Sequence, residues 1–202
     1  MAAPAFEMAI KESSDELNPA VVVPQRAVPT TTAPWSTSDY VALSIATFGV
    51  GYLPLIPGTF GSLVSVGIFL LFTFLLAGTP LFAVVLLFIL AVTFSGIWAA
   101  SRTEELAGRK DPGKVVVDEV AGQMLALLPL TIFNLQPLTR GVIVSFILFR
   151  LFDIFKPYPA GRFERLKGGY GIMCDDLVAG GYAAVITSTI VLVFGKSILG
   201  GE

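Results

Sequence analysis

Apolar residues run along this chain in blocks, separated by glycine, proline and short charged links. Val41 to Ile56 is apolar but short, and Gly49, Gly51 and Pro54 interrupt it, which predicts an interfacial or re-entrant piece. Leu63 to Ala77 is apolar throughout and closes at Gly78-Thr79-Pro80. Leu81 to Ala100 is the clearest span, because a rise of about 1.5 Å per residue carries it across a hydrocarbon core of about 30 Å. Val120 to Phe133 is shorter and contains Pro129, Val142 to Phe155 carries Arg150 and Asp153 near its end, and Leu177 to Leu199 is the last block. Lipid offers no partner to backbone N–H and C=O groups, so each block is expected to satisfy them internally as a helix. The pattern predicts an all-α integral membrane protein, a bundle of about 4–5 transmembrane helices plus the re-entrant or interfacial N-terminal segment.

Composition strengthens that reading. Of the 202 residues, 54% are hydrophobic and 14% charged, against about 25% charged in a soluble domain. That leaves too little polar surface to coat a globule. Residues 1–38 differ: they hold Pro4, Pro19, Pro24, Pro29 and Pro34, a Thr30-Thr31-Thr32 run and mixed charges. This predicts a mostly disordered tail ahead of a membrane domain over 39–202. A cleaved signal peptide is not expected, since no long apolar stretch follows a basic start. The formal net charge of -2 and the lack of a basic domain argue against nucleic acid as a partner. Cys174 is the single cysteine and histidine is absent. An intrachain disulfide, the usual zinc sites, a Ser-His-Asp triad and histidine-based phosphotransfer are therefore excluded.

Lysine and arginine set the orientation. One link holds Arg102, Arg109, Lys110 and Lys114, and another holds Lys156, Arg162, Arg165 and Lys167, whereas the opposite links hold little beyond Arg140. The positive-inside rule puts both basic links, and with them the N-terminal tail, in the cytoplasm; the C-terminus is then outside, with Lys196 a mild contrary signal. The same topology gathers Pro57 to Ser62, Arg102 to Glu119 and Arg150 to Asp176 at one membrane face.

Four stretches on that face could carry chemistry. In Pro57-Gly58-Thr59-Phe60-Gly61-Ser62, the glycines Gly58 and Gly61 would let backbone approach an anion, and Thr59 and Ser62 would add hydroxyl donors. Ser62 also suits an N-cap for a helix starting at Leu63; a glycine-rich capping turn is the commoner explanation of such a motif taken alone. Asp118-Glu119 opens the next apolar block, where two acids complement a helix dipole or contribute to a metal site. Arg150 and Asp153 lie on neighbouring parts of one helix face, so they form a structural pair, or Asp153 ligates metal while Arg150 or Lys156 clamps phosphate. Finally, Gly168-Gly169-Tyr170-Gly171 predicts a flexible loop delivering Asp175 and Asp176 to the mouth of the last helix, with Ala179 and Gly180 allowing close packing. Cys174 reads as a small packed residue, because Gly180 stands where a Cys-x5-Arg motif needs arginine. Five carboxylates without histidine suit Mg²⁺, a hard cation bound by oxygen together with substrate phosphate.

In that order the motifs resemble the phosphatidylglycerophosphatase A family. The resemblance rests on Thr47-Phe48-Gly49-Val50-Gly51 through Ser62, on Val117 to Gly122, on Arg150-x-x-Asp153-x-x-Lys156-Pro157-x-Pro159, and on Gly168-Gly169-x-Gly171-Ile172-Met173-x-Asp175-Asp176-x-x-Ala179-Gly180. It covers about residues 42–195. Leu53, Ala160 and Cys174 depart from the family's usual residues, and none of the three removes an acid or a base. The resemblance implies a Mg²⁺-dependent hydrolase converting phosphatidylglycerophosphate to phosphatidylglycerol and phosphate. It also implies a place in the bacterial inner membrane, with the active site facing the cytoplasm and lipid around it; a homo-oligomer stays open. Asp118, Glu119, Asp153 and Asp175 or Asp176 are the expected Mg²⁺ ligands, with Asp176 preferred. The remaining acid would handle water, and Arg150, Lys156 and residues 58–62 would hold phosphate. A Thr59 or Ser62 nucleophile and a phosphoaspartyl route through Asp175 stay open. Two rival classes exist. A CDP-alcohol phosphotransferase would carry an Asp-Gly-x-x-Ala-Arg motif, which is absent; a non-enzymatic membrane protein would line a mid-membrane path with polar residues.

Overall fold

The computed structural model describes residues 34–53, 56–110, 112–133, 138–163 and 166–194. Residues 1–33 of the expected tail, Pro54 in the first apolar block, Arg165 and the end of the last block beyond 194 lie outside the described residues. Among the described residues the elements are helical. They are α1 (Thr37–Thr47), a 3-10 turn (Val50–Tyr52), α2 (Pro57–Leu75), α3 (Gly78–Ala107), α4 (Val117–Leu127), α5 (Leu130–Phe133), α6 (Leu138–Phe155), α7 (Ala160–Phe163) and α8 (Gly169–Phe194).

Three of them, α2, α3 and α8, are long and apolar enough to cross a membrane. Large apolar side chains point outward along them, with Phe74 86% and Phe94 70% exposed; such exposure is stable only where lipid replaces water. α6 has the length but carries Arg140, Arg150 and Asp153. α4 is short, and of its eleven residues only Asp118, Glu119 and Leu125 are not buried. It packs against α2, α3, α6 and α8, so protein rather than lipid surrounds its polar start. Pro129 follows α4, and α5 begins one residue later, as expected of a residue that cannot donate the helix-continuing bond.

Two helix starts differ from the pattern-based expectation. α2 begins at Pro57, not Leu63, with proline in the first turn, where its missing N–H costs nothing. Ser62 is therefore no N-cap: it is buried one turn in and donates to the Gly58 carbonyl at 3.1 Å. α8 begins at Gly169, so Gly169 to Gly171 form its first turn rather than a loop. The reason is contact with α3: the Gly169 amide donates to Ser101 Oγ at 2.7 Å, and a Cβ on Gly169 would collide with the Ile97 carbonyl. Helix propensity for glycine is poor, and tertiary packing overrides it here.

The first apolar block also resolves. Ser36 and Asp39 form a capping box that starts α1 inside the expected tail. α1 stops at Phe48 and Gly49, both at positive φ. Arg102 on α3 donates to Asp39 at 2.7 Å and, by that bond first, holds its carboxyl below the usual range. From there the chain braces the approach to α4: the Val116 amide donates to the Ala46 carbonyl at 2.8 Å, and Gly51 sits against the Lys114 carbonyl.

A second close crossing joins α4 to α8. A Cβ on Gly180 would strike the Gly122 carbonyl, and one on Gly122 would lie 2.5 Å from the Asp176 carbonyl and 2.6 Å from Phe149 Cε2. Such small-residue contacts let helix backbones approach closely. Gly180→Ala should therefore destabilise the protein in detergent by about 1–3 kcal/mol. Gly181→Ala, where an added Cβ meets nothing within 4 Å, should be neutral or gain up to about 1 kcal/mol. Thermal unfolding of the two variants side by side checks the sign.

Candidate active site

Each acid takes its position from the helix beneath it. Asp118 and Glu119 occupy the first turn of α4, near unpaired backbone N–H groups that favour negative charge. Asp118 and Gly122 are four residues apart, as are Asp176 and Gly180, so each acid sits one turn from its glycine on the same face. The Gly122–Gly180 crossing then brings the acids together. One oxygen each from Asp118, Glu119 and Asp176 lies within 4.8 Å of the others. Glu119 Oε2 and Asp176 Oδ2 are buried and accept no hydrogen bond. Three carboxylates converging in partial burial repel one another, and burying unpaired charge is costly. A hard divalent cation resolves both problems, and an all-oxygen donor set fits one.

The other charged groups are ordered around this cluster. Arg150 and Asp153 pair at 2.7 Å along α6. Arg150 Nη1 also lies beside Gly58, 3.4 Å from where its Cβ would be, and that Cβ would collide with the Glu119 carboxylate. Gly58 is thus small because a carboxylate and a guanidinium occupy the space. Lys156 follows α6 at φ 41 and donates to Asp175 Oδ2 at 2.5 Å; Asp175 itself is buried. A cavity of about 490 Å³ opens over the cluster. All five candidate acids line it, as do Lys110 and Lys156, and its remaining wall includes Pro57, Val115 and Ile172.

Residues from all three stretches that the charge pattern places on one membrane face meet at this cavity. Their roles separate, however. Asp118, Glu119 and Asp176 form the three-carboxylate group; Asp153 lines the same cavity beside it, engaged with Arg150. Arg150 does not line the cavity. Neither Thr59 nor Ser62 reaches it, and the Thr59 and Phe60 amides already donate to the Ile56 carbonyl at 3.1 and 3.4 Å. The 58–62 stretch therefore shapes the site through Gly58 and Gly61, which abut Glu119. Lys110 was not singled out from the sequence beyond its part in a basic link. Its position just past α3, in the connection leading to Asp118, was the available signal.

Fold and cavity together define a helical membrane protein with an acidic, oxygen-only site where its helices begin and end. A family model described as Phosphatidylglycerophosphatase A matches residues 43–191. A protein of Bacteroides thetaiotaomicron, provisionally named a phosphatidylinositol-3-phosphatase, is 39% identical over 148 residues, covering 73% of this chain and 91% of the relative. The phosphatidylglycerophosphatase A of Escherichia coli K12 is 36% identical over 140 residues, 69% of this chain and 76% of the relative. That of Haemophilus influenzae Rd is 35% identical over 146 residues, 71% and 83%. No solved structure matches the chain. The chain belongs to the phosphatidylglycerophosphatase A family, and it is a phosphatase.

Gly58→Ala tests the packing behind Glu119. The added methyl meets the end of a flexible side chain rather than backbone, so the fold should survive with a stability change within about 1 kcal/mol. The Glu119 carboxylate must move, and if it serves the reaction, phosphatase turnover should fall at least about tenfold, since small displacements of catalytic groups are expensive. Turnover and thermal unfolding of the same preparation separate the two effects.

Proposed function

We propose that this protein hydrolyses the terminal phosphomonoester of phosphatidylglycerophosphate in a Mg²⁺-dependent reaction at the cytoplasmic face of a bacterial inner membrane. The observation that carries the reading is the three-carboxylate group of Asp118, Glu119 and Asp176, in which Glu119 and Asp176 each keep a buried oxygen without a hydrogen bond, in a cavity that Lys110 and Lys156 also line. Family membership supports the substrate. Basic links beside the site support the cytoplasmic orientation. We read α6 and the α4–α5 pair as further membrane-embedded elements beside α2, α3 and α8, giving 4–5 in all, with α1 and the 3-10 turn at the interface.

Asp118, Glu119 and Asp176 would hold the metal ion. When bound, the ion would neutralise charge on the phosphoryl oxygens and on the leaving oxygen. Lys156, held at the cavity wall by Asp175, binds the phosphate as a point charge. That pairing makes Asp175 a positioning residue and leaves it poorly suited to a phosphoaspartyl route. Asp153 faces the cavity outside the three-acid group, and Arg150 fixes its carboxylate. It orients the attacking water and accepts its proton. The water oxygen bonds to phosphorus, the bond from phosphorus to the glycerol oxygen breaks, that oxygen takes a proton from solvent as Asp153 returns its own to solvent, and phosphatidylglycerol and phosphate leave.

Phosphate release from phosphatidylglycerophosphate by the purified protein in detergent is the test. EDTA should abolish it and Mg²⁺ should restore it. Asp118→Asn and Asp176→Asn should each lower turnover by at least about 100-fold, the upper end of what loss of an outer-shell partner costs. Near-normal Mg²⁺-dependent turnover in either variant would show that the cation lies elsewhere. A parallel assay with phosphatidylinositol 3-phosphate, the headgroup in the name of the Bacteroides relative, decides between the two lipid substrates.

A further inference from the structure

Behind the acid cluster, α2 and α4 bury polar side chains between them. Gln123 on α4 and Ser65 on α2 are both 0% exposed. Among the described residues, neither Gln123 amide atom nor the Ser65 hydroxyl has a hydrogen-bond partner. The same is true of Glu119 Oε2, which is also buried. Unpaired polar groups are costly inside an apolar bundle, so their placement needs a cause.

Register brings these groups together. Pro57 at the start of α2 and Asp118 and Glu119 at the start of α4 line the same cavity, so both helices lead away from it. A Cβ on Gly61 would lie 3.4 Å from Glu119 Cβ and 3.0 Å from Val116 Cβ. Ser65 stands one turn beyond Gly61, and Gln123 one turn beyond Glu119, each on the same helix face as the residue before it. Another turn along, Phe69 shares a core cluster with Met124 and Leu127. Ser65 and Gln123 are thus enclosed between the Gly61–Glu119 contact and that cluster. Helix side chains lean toward the N-terminus, which carries the Gln123 amide toward the Glu119 carboxylate. A buried water typically makes about three hydrogen bonds to such groups, and Glu119, Gln123 and Ser65 supply them.

We propose that Gln123 and Ser65 hold one water behind Glu119, and that this water fixes the carboxylate for the cation by donating to Glu119 Oε2. The Gln123 amide and the Ser65 hydroxyl donate to the water oxygen. This rests on the metal reading above. Neither residue lines the cavity, so both are positioning residues that act through Glu119. Partners of that kind orient a ligating carboxylate and typically carry roughly 10- to 100-fold in metal affinity.

Mg²⁺ affinity in the absence of substrate tests the assignment. It is read in detergent from the rise in unfolding temperature of the full-length protein across a Mg²⁺ titration. The double variant Ser65→Ala, Gln123→Met removes the unpartnered hydroxyl and amide at nearly constant volume. It should fold and, free of metal, unfold no lower than the wild type. Its Mg²⁺ dissociation constant should rise about tenfold. Ser65→Ala alone should raise the constant about threefold, the value of one neutral hydrogen bond. Thr187→Val removes another buried, unpartnered hydroxyl. It lies on α8 about 16 Å along the axis from Asp176, and its loss should leave the constant within about twofold. The proposal is overturned if the double variant or Ser65→Ala binds Mg²⁺ as tightly as the wild type. It is equally overturned if Thr187→Val weakens binding as much as the double variant does, since loosened packing would then be the cause. A wild type whose unfolding temperature ignores Mg²⁺ would overturn the metal reading, and this proposal with it.

Discussion

The backbone contact between Gly122 and Gly180 fixes the separation on which the acid cluster depends. Asp118 and Asp176 sit one turn from these glycines, on the same faces. Any side chain at the crossing would push α4 from α8, and with it Asp118 and Glu119 from Asp176. Lipid tails are as apolar as leucine, so helix association in a bilayer relies on close packing more than on the hydrophobic effect. Glycine is a weak helix former, yet at this crossing its missing side chain is the structural element.

Around that contact the rest of the chain works to keep polar groups away from lipid. α4 is short and wrapped by four helices, which lets two acids begin a helix among apolar neighbours without facing hydrocarbon. The segment before it is pinned to α1 through the Val116–Ala46 hydrogen bond and the Gly51 contact with Lys114, and α1 is pinned to α3 through Asp39 and Arg102. The Thr47-to-Gly51 motif thus acts on the site from a distance, as a brace for the approach to Asp118. Arg150 plays the matching part from the far side, set between Gly58 and Asp153.

Much of this was legible in the sequence because its causes are local. Apolar blocks give helices, and acids at the ends of those blocks converge in one cluster. Helix starts were less legible, because tertiary partners set them. Gly169 to Gly171 look like a loop by propensity, and only the Ser101 hydroxyl and the Ile97 carbonyl, some seventy residues earlier, make them the first turn of α8. Ser62 looks like a cap until Pro57 is seen to start the helix. The difference between Asp175 and Asp176 was hidden for a related reason. Adjacent positions on a helix point about 100° apart, so which of two neighbouring acids meets Asp118 and which meets Lys156 depends on the rotation of α8, and the glycine crossing sets that rotation.

The same rotation links the fold to its chemistry. With Asp176 turned toward α4 and Asp175 toward Lys156, one helix turn would, on the proposed metal reading, present a carboxylate to a cation beside a carboxylate that holds an ammonium group. An anion entering between them would meet positive charge from both directions, with each acid neutralised behind it. Two adjacent aspartates would otherwise repel a phosphate. Placed on a helix whose register is locked by Gly180, they would instead hold the two charges that attract it.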